Sequence, residues 1–374
     1  MHLNFSAKSL ALLAGLSFTC FAAQADTLRI ASGVPPKHPA HNPLYTEFQP
    51  LLPEISDGRL DAVLLGPEVV RLPGMRDGIK SGLVDIGLFL PAYFPADLPE
   101  VNLVGDMAFL GSNNQAMSGA MTEYVVTCSE CQAELKKLGV VYASSHSTNT
   151  YTILSKDPIT SAADMQGKRL RTGGPQFSRW VEALGGTPVS TPVGETFEAL
   201  SQGIIDGTVA STADIVSFRL NEVIGNITDI NLGTYHSTIS HAIRNEKWAS
   251  MSPEDRKALV LTSSRTSALS AQRWEEIAQM GRDIAAKDEL ATVAADQSLL
   301  DATAAFVESD VAAAGSSAQE RSGIANAEEK LERFKALVAK WEKIADENGN
   351  DPEKMGQAME TEIWSKVDFT TYGL

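Results

Sequence analysis

Basic residues are scarce in this chain of 374 residues. It has 31 lysines and arginines against 47 aspartates and glutamates, which gives a formal net charge of −16 at pH 7. Nucleic acids and anionic membrane surfaces are polyanions, so an acidic chain is a poor partner for both. We therefore expect no nucleic-acid partner. A small anionic ligand stays compatible with this charge, because one local cationic pocket is enough to hold it.

Long apolar runs are confined to the start of the chain. Lys8 precedes an apolar run over 10–23, which closes on the small-residue pattern Ala23-Gln24-Ala25. A basic start, a short apolar run and a small-residue exit predict a cleaved secretory signal peptide over 1–25. The run is shorter than the roughly 20 residues that a transmembrane helix needs. A lipoprotein anchored through Cys20 is the alternative. We expect export to the periplasm.

Cysteine is also rare, and two cysteines remain after the signal peptide: Cys128 and Cys131. A structural zinc site usually takes four ligands and the chain has no second pair, so we expect no metal site. A redox centre of the thioredoxin type would follow a strand, whereas this pair lies between two helical stretches. In an oxidising compartment we expect a disulfide between them, with two free thiols as the alternative.

Recognisable catalytic motifs are absent too. The sequence contains no Gly-x-Ser-x-Gly elbow, phosphate loop, His-Glu-x-x-His or dinucleotide fingerprint. We therefore predict that the protein is not an enzyme and needs no cofactor. A periplasmic enzyme remains one alternative, and it would need a general acid, base or nucleophile beside the ligand site.

Strand-like and helix-like segments alternate in two series, over 28–90 and 151–210. This alternation predicts an α/β fold with mostly parallel sheets covered by helices. Segments 77–85 and 198–206 resemble each other, since both combine a helix, a glycine, two aliphatic residues and an aspartate before a strand. The repeat predicts the same corner in two facing lobes, with a ligand cleft between them.

The last third of the sequence is helical. Ser252-Pro-Glu-Asp is typical of a helix start, and the helix could extend toward Lys287. A second amphipathic helix is predicted over 325–344. A coiled-coil dimer is a rival interpretation, but the apolar pattern is not sustained over several heptads, so we expect a monomer.

Together these patterns predict a two-lobed fold like that of periplasmic binding proteins, with mixed or parallel sheets, a long bridging helix and C-terminal helices. The break between the two series places the boundary between the lobes near residues 147 and 148.

A cluster of three cations stands out in the second series. Lys168, Arg169 and Arg171 fall within four residues and precede Thr-Gly-Gly. On a strand, alternation would place Arg169 and Arg171 on one face. Composition alone fits a solvated strand end as well as an anion site.

The region 153–232 resembles the solute receptors of tripartite ATP-independent periplasmic (TRAP) transporters, and weaker similarity extends over nearly the whole mature chain. The matching segments are Pro158–Arg171, Ala183–Val189, Glu195–Gly207, Ser217–Val223, Pro35–Pro39 and Gly82–Asp85. The resemblance implies a receptor that closes on an organic acid and delivers it to membrane subunits driven by an ion gradient. It also implies a chain that crosses between the lobes more than once. With the break between the two series, we therefore expect lobe I to contain 26–147 and 234–271, and lobe II to contain 148–233 and 272–374, including the C-terminal helices. A receptor of an ATP-driven importer is the nearest alternative.

The resemblance also implies a role for Arg171, because the arginine that ends the family's Asp-x-x-Gly-x-x-x-Arg segment holds the ligand carboxylate. A guanidinium matches a carboxylate with two parallel hydrogen bonds. Many sialic-acid and dicarboxylate receptors carry a second arginine where this chain has 149–151. They also often carry an asparagine where it has 209–212. Both differences favour a monocarboxylate, a zwitterion or a partly apolar acid.

Aromatic and polar residues near the strand ends complete the expected site, although packing or turn capping would also account for several of them. The predicted ligand-binding residues are Arg171, Asn149, Tyr151, Phe89, Tyr93, Ser211 and His38.

Overall fold

The computed structural model describes residues 25–374, so the predicted signal peptide lies outside the described residues except for Ala25. Within this range no helix combines the length and the apolarity that crossing a bilayer requires. The strands are β1 (Asp26–Ala31), β2 (Leu60–Leu65), β3 (Ile86–Phe89), β4 (Val140–Tyr142), β5 (Thr152–Ser155), β6 (Arg169–Thr172), β7 (Thr187–Ser190), β8 (Gly207–Ala210), β9 (Asn226–Asp229), β10 (Ile239–Arg244) and β11 (Ala291–Ala294). The helices are α1 (Phe48–Ile55), α2 (Met75–Lys80), α3 (Pro99–Leu103), α4 (Asn114–Val126), α5 (Ser129–Leu138), α6 (Pro175–Ala183), α7 (Thr196–Ser201), α8 (Ala213–Ser217), α9 (Asn245–Ala249), α10 (Pro253–Lys287), α11 (Gln297–Ser322), α12 (Ala327–Asn348) and α13 (Pro352–Glu362).

The strands form two separate sheets, each with its own apolar core. The first sheet has the order β2-β1-β3-β10-β4, and the second has the order β11-β9-β5-β8-β6-β7. In the first sheet β1 is parallel to β2 and β3, while β10 is antiparallel to β3 and β4. In the second, β6 is parallel to β7 and β8, while β5 is antiparallel to β8 and β9. The predicted two-lobed α/β fold with mixed sheets is confirmed.

The repeated sequence segments build the same corner in both lobes. In the first lobe, Asp85 accepts hydrogen bonds from the backbone N–H of Arg29 (3.0 Å) and from its guanidinium (3.1 Å each). In the second lobe, Asp206 accepts the equivalent bonds from Arg169 at 2.8, 3.1 and 2.6 Å. Each aspartate therefore bonds the helix-to-strand corner to an arginine of the neighbouring parallel strand, Arg29 within β1 and Arg169 at the start of β6. Arg244 adds a further bond of 3.0 Å to Asp85.

Two extended connectors run side by side between the lobes. The first covers 143–151 and the second covers 230–238. Thr148 N–H donates to the Tyr235 carbonyl (3.0 Å), and Tyr151 N–H donates to the Gly233 carbonyl (2.7 Å). Because these bonds pair the connectors in opposite directions, the chain leaves the first lobe and returns to it through one hydrogen-bonded ribbon.

Helix α10 is a third connection, and it confirms the predicted long bridging helix. The Ser252 side chain caps it by accepting a hydrogen bond from Asp255 N–H. Its first half packs in the core of the first lobe through Leu259 and Ala268. Further along, Trp274 packs with Ala213 at the start of α8 in the second lobe. The helix therefore braces both lobes from one side.

The C-terminal helices correct part of the predicted lobe boundaries, which assigned 272–374 to lobe II. Helix α11 starts in the core of the second lobe through Leu299, but its far end packs in the first lobe. Phe334 and Trp341 of α12 are fully buried in the core of the first lobe, beside α4. A Cβ at Gly119 of α4 would collide with the Trp341 ring, so this glycine makes room for the indole. Helix α12 belongs to the first lobe because α4 offers the partner for its apolar face.

The predicted disulfide between Cys128 and Cys131 is confirmed. It joins the end of α4 to the start of α5, and both cysteines are buried in the core of the first lobe.

We predict that Asp85→Asn lowers the free energy of unfolding by about 2–3 kcal/mol, because two guanidinium groups would lose a shared charged acceptor. Burial alone would raise the pKa of Asp85, but the bonds from Arg29 and Arg244 hold that pKa below its usual value. The stabilisation is therefore present above about pH 4 and is lost as the carboxylate protonates below it. Urea unfolding at pH 7 and pH 3 measures both effects.

Asp77→Asn is the matched control, since Asp77 lies on α2 near the same corner with 81% of its side chain exposed. This variant should unfold like the wild type, because exposed ion pairs contribute little. Equal stability of the two variants would show that the corner does not hold the lobe together.

Candidate functional site

A small cavity lies between the lobes and is closed by residues from both of them. Its lining is mainly apolar and aromatic, with a few polar groups from strand ends and connectors. The lining residues are Val34, His38, Ala40, Leu72, Leu88, Leu90, Tyr93, His146, Thr148, Tyr151, Arg171, Gly173, Val193, Asp214, Tyr235, Thr238 and Trp274. This combination is typical of a site for a small ligand with one or two polar anchors.

Arg171 supplies the cationic group of this cavity. It lies near the carboxyl end of β6, between β7 and β8, and only 2% of the residue is exposed. Its Nε donates to the Thr191 carbonyl at 3.0 Å. Within residues 25–374 the guanidinium makes no other hydrogen bond and no ion pair, so both Nη groups are left for a partner in the cavity.

Its neighbour Arg169, two residues earlier on the same strand, has a different environment. The Arg169 guanidinium forms an ion pair with the Asp206 carboxylate, and 44% of the Arg169 side chain is exposed. One arginine of the basic cluster therefore stabilises the corner, and the other points into the cavity.

Aromatic rings form the wall around Arg171. The Tyr151 ring stacks on Phe177 with ring centroids 5.2 Å apart and lies parallel to Tyr235 at 6.2 Å. From the first lobe, the Tyr93 hydroxyl oxygen accepts a hydrogen bond of 3.1 Å from Val193 N–H in the second lobe. The two lobes therefore touch at the cavity, because Tyr93 and Val193 both line it.

Asp214 brings a negative charge to the same cavity from α8, and only 4% of the residue is exposed. Burial raises the pKa of its carboxyl to about 7, and the positive charge of Arg171 partly opposes that rise. No salt bridge of 4.0 Å or less joins Asp214 to Arg171 or to another cation of the described chain. The two groups therefore face the cavity as separate charges.

Three polar atoms of the lining are buried without a hydrogen-bond partner among the described residues. They are Asp214 Oδ1, Tyr235 Oη and Trp274 Nε1. Buried polar groups in proteins are nearly always hydrogen-bonded, so this concentration at one cavity indicates a place where a ligand completes the bonding.

Four of the seven predicted ligand-binding residues line this cavity: Arg171, Tyr151, Tyr93 and His38. The other three do not. Phe89 is buried in the core of the first lobe, where it stacks on Phe94 at 4.6 Å, and it is not among the lining residues.

Asn149 and Ser211 also lie behind the cavity wall. The Ser211 hydroxyl donates to Asn149 Oδ1 and accepts from Ala213 N–H at 2.8 Å. These two residues fix the start of α8, and thereby the position of Asp214, rather than line the cavity.

The sequence reasoning missed the lining residues Asp214, Tyr235, Trp274, His146 and Thr148. Asp214 had a usable signal, because it follows β8, and β8 lies beside β6 with the same direction. The carboxyl ends of parallel neighbours meet at one edge of a sheet, so Asp214 had to lie near Arg171. Trp274 and Tyr235 had none, since helix α10 and the returning connector reach the cavity only through the tertiary fold.

Comparison with known proteins assigns the chain to a protein family. The model of the family described as bacterial extracellular solute-binding protein, family 7, matches residues 30–306. A TRAP solute-binding protein from Bordetella bronchiseptica, solved with bound (R)- and (S)-mandelate, aligns over 84% of this chain and 99% of its own. The alignment has a TM-score of 0.73 and 25% identity. The chain belongs to this family of TRAP solute-binding proteins.

Two further relatives align with most of the present chain. A TRAP solute-binding protein from Rhodoferax ferrireducens T118, solved with copurified benzoate, has a TM-score of 0.76 and 21% identity. It covers 85% of this chain and 99% of its own. A solute-binding protein of Sulfitobacter sp. (strain NAS-14.1) is 24% identical over 298 residues, which cover 77% of this chain and 84% of the relative.

Five histidines are buried among the described residues of this receptor, and two of them, His38 and His146, line the cavity. Burial lowers the pKa of His38, His146 and His241 to about 3 and that of His236 to about 4. His41 is lowered in the same direction. The first four therefore stay neutral at pH values where histidines of an unfolded chain, with a pKa near 6.5, take up a proton.

We predict that the receptor loses stability as the pH falls from 7 to 5. The unfolded chain binds protons below about pH 6.5 and the buried rings do not, so each histidine removes up to about 1.4 kcal/mol per pH unit. The raised carboxyls Asp214 and Glu134, with pKa values of about 7, act in the opposite direction but are outnumbered.

His241→Asn isolates one histidine, because asparagine can still hydrogen-bond Ser263 in place of the ring Nδ1. Its free energy of unfolding should fall less steeply with acid than that of the wild type, by about one proton. Parallel pH slopes for both proteins would contradict the assignment of a neutral His241.

Proposed function

We propose that this chain is a periplasmic receptor for a small ring-bearing monocarboxylate, which it delivers to TRAP-type membrane subunits. The observation that carries the proposal is the Arg171 guanidinium, buried in the cavity between the lobes with both Nη groups free of partners among residues 25–374. In this proposal the two Nη groups donate to the two carboxylate oxygens of the ligand.

The electrostatics of the cavity support an anionic ligand. A buried charge without a counter-ion is costly, because the low dielectric of the interior replaces the hydration of water. Asp214 forms no ion pair with Arg171 within 4.0 Å, and with a pKa of about 7 it is only partly ionised at neutral pH. A ligand carboxylate therefore offers Arg171 the compensation that the protein does not supply.

The rest of the lining supports a ligand with one carboxylate and an apolar body. The position where dicarboxylate and sialic-acid receptors often carry a second arginine is occupied here by Thr150, with Asn149 and Tyr151 beside it. Tyr151 contributes a ring stacked beside Tyr235 instead of a second cation. Stacked aromatic walls suit a planar ring, because offset stacking adds to the burial of apolar area.

The bound compounds of the relatives have this chemistry. The Bordetella bronchiseptica protein holds mandelate and the Rhodoferax ferrireducens protein holds benzoate, and both are small aromatic monocarboxylates. We carry that ligand class over to this chain because the cavity combines one free arginine with aromatic walls. Solute-binding proteins release their ligand unchanged, so we expect no turnover of these acids.

We predict that Arg171→Lys weakens binding of benzoate and mandelate by about 30- to 4,000-fold. Lysine keeps the charge but cannot form the paired hydrogen bonds of the planar guanidinium, and the loss of a desolvated charge pair costs that much. Calorimetric titration at pH 7.5 measures the affinity, and thermal melting without ligand measures the fold. The melting temperature of the unliganded variant should stay close to that of the wild type.

Arg169→Lys is the matched control, because it removes the same group from the same strand two residues away. It should lower the melting temperature through the Asp206 corner and change the dissociation constant by no more than about threefold. If Arg171→Lys binds both acids as tightly as the wild type, the proposed clamp is wrong.

A further inference from the structure

We infer that Asp214 is a second recognition group, which accepts a hydrogen bond from a hydroxyl or N–H that the ligand carries in addition to its carboxylate. This inference rests on the proposed function and narrows it. The ligand would be a monocarboxylate with a hydrogen-bond donor on its α-carbon or on its ring, held at one end by Arg171 and at another by Asp214.

The Asp214 carboxylate lies at the cavity without a bonding partner among the described residues. It lines the cavity with 4% of the residue exposed, and its Oδ1 is buried without a partner among residues 25–374. Neither carboxylate oxygen takes part in a hydrogen bond or ion pair with a described residue. An unbonded buried acceptor at a cavity has its missing donor either in the solvent or in a ligand.

Asp214 does not have the ordinary role of an acid in the first turn of a helix, which is to stabilise the helix start. Such an acid stabilises a helix from an exposed position, where it accepts N–H bonds from the first turn. Asp214 does lie in the first turn of α8, but the N–H of Ala213 is bonded to Ser211 Oγ instead. The helix start is therefore satisfied without the Asp214 side chain.

The buried Asp214 carboxylate lowers the stability of the folded protein when it is ionised. Burial raises the pKa of Asp214 to about 7, so the folded protein is destabilised when the group is ionised above neutral pH. Nonetheless the start of α8 is firmly held, because Ser211 is bonded to Asn149 and Thr212 Oγ1 donates to the Ala278 carbonyl of α10 at 2.9 Å. An acid that weakens the fold yet is held in place at a cavity is typical of a binding residue.

Three acids that differ only in the group on the α-carbon test the inference: phenylacetate has hydrogen, mandelate a neutral hydroxyl and 2-phenylglycine an ammonium group. Benzoate and 3-hydroxybenzoate form a second pair, with the donor on the ring. The wild type should bind the preferred donor-bearing acid about 10- to 100-fold more tightly than its donor-free partner, as expected for a hydrogen bond to a charged acceptor. The preferred acid identifies the donor as neutral or cationic and locates it on the α-carbon or on the ring.

Two variants link this preference to Asp214. Asp214→Leu, which has a similar shape and no acceptor, should bind donor-bearing and donor-free acids within about threefold of each other. Asp214→Asn, which keeps a weaker acceptor, should show an intermediate preference. Glu222→Gln is the control, because this acid follows α8 with half of its side chain exposed and lies outside the cavity lining, and it should keep the full wild-type preference.

Thermal melting without ligand at pH 8 separates recognition from a structural role. Because ionised Asp214 is unfavourable in the folded protein, Asp214→Asn should melt at the same temperature as the wild type or higher. A lower melting temperature would assign Asp214 to the fold and overturn the inference.

The binding data have distinct failures. Equal affinities of the wild type for each pair, or a preference that survives in both Asp214 variants, would overturn the role of Asp214 while Arg171 remains the clamp. If the wild type binds none of the five acids, both the proposed ligand class and this inference are wrong.

Discussion

A guanidinium that is buried between two lobes without a counter-charge is the constraint on which the site depends. Arg171 can be kept there because β6 lies inside its sheet and because the Thr191 carbonyl orients Nε. The remaining donors face a cavity whose other strong charge, Asp214, is not close enough to pair with them. In the proposed function, an anion that enters the cavity supplies the counter-charge that Arg171 lacks.

The two lobes share the same helix-to-strand corner. Each has an aspartate that bonds the backbone and guanidinium of an arginine on the neighbouring strand: Asp85 with Arg29, and Asp206 with Arg169. These corners hold the amino ends of the strands, so the carboxyl ends can carry the ligand groups. The connectors and helix α10 then contribute Thr148, Tyr235 and Trp274 to the cavity. Elements that link the lobes therefore also line the cavity between them.

Local patterns in the sequence were enough to predict the two βα series, the bridging helix and the disulfide. The resemblance of 153–232 to TRAP receptors was enough to single out Arg171. Sequence could not place α12, because its apolar face fits any apolar partner and only the gap at Gly119 selects α4. It also placed Phe89 at the cavity, although alternation along β3 does not show which face meets the core. The position of Asp214 near Arg171 could have been predicted from the order of the strands. The position of Trp274 could not, because it depends on how far α10 extends between the lobes.

The most direct test of the account is a crystal structure of the protein with mandelate or another aromatic monocarboxylate bound. The account predicts the ligand between the lobes, with its carboxylate oxygens about 2.7–2.9 Å from both Nη atoms of Arg171 and its ring against Tyr151 and Tyr235. A carboxylate held elsewhere, with Arg171 paired to an acid of the protein itself, would contradict it.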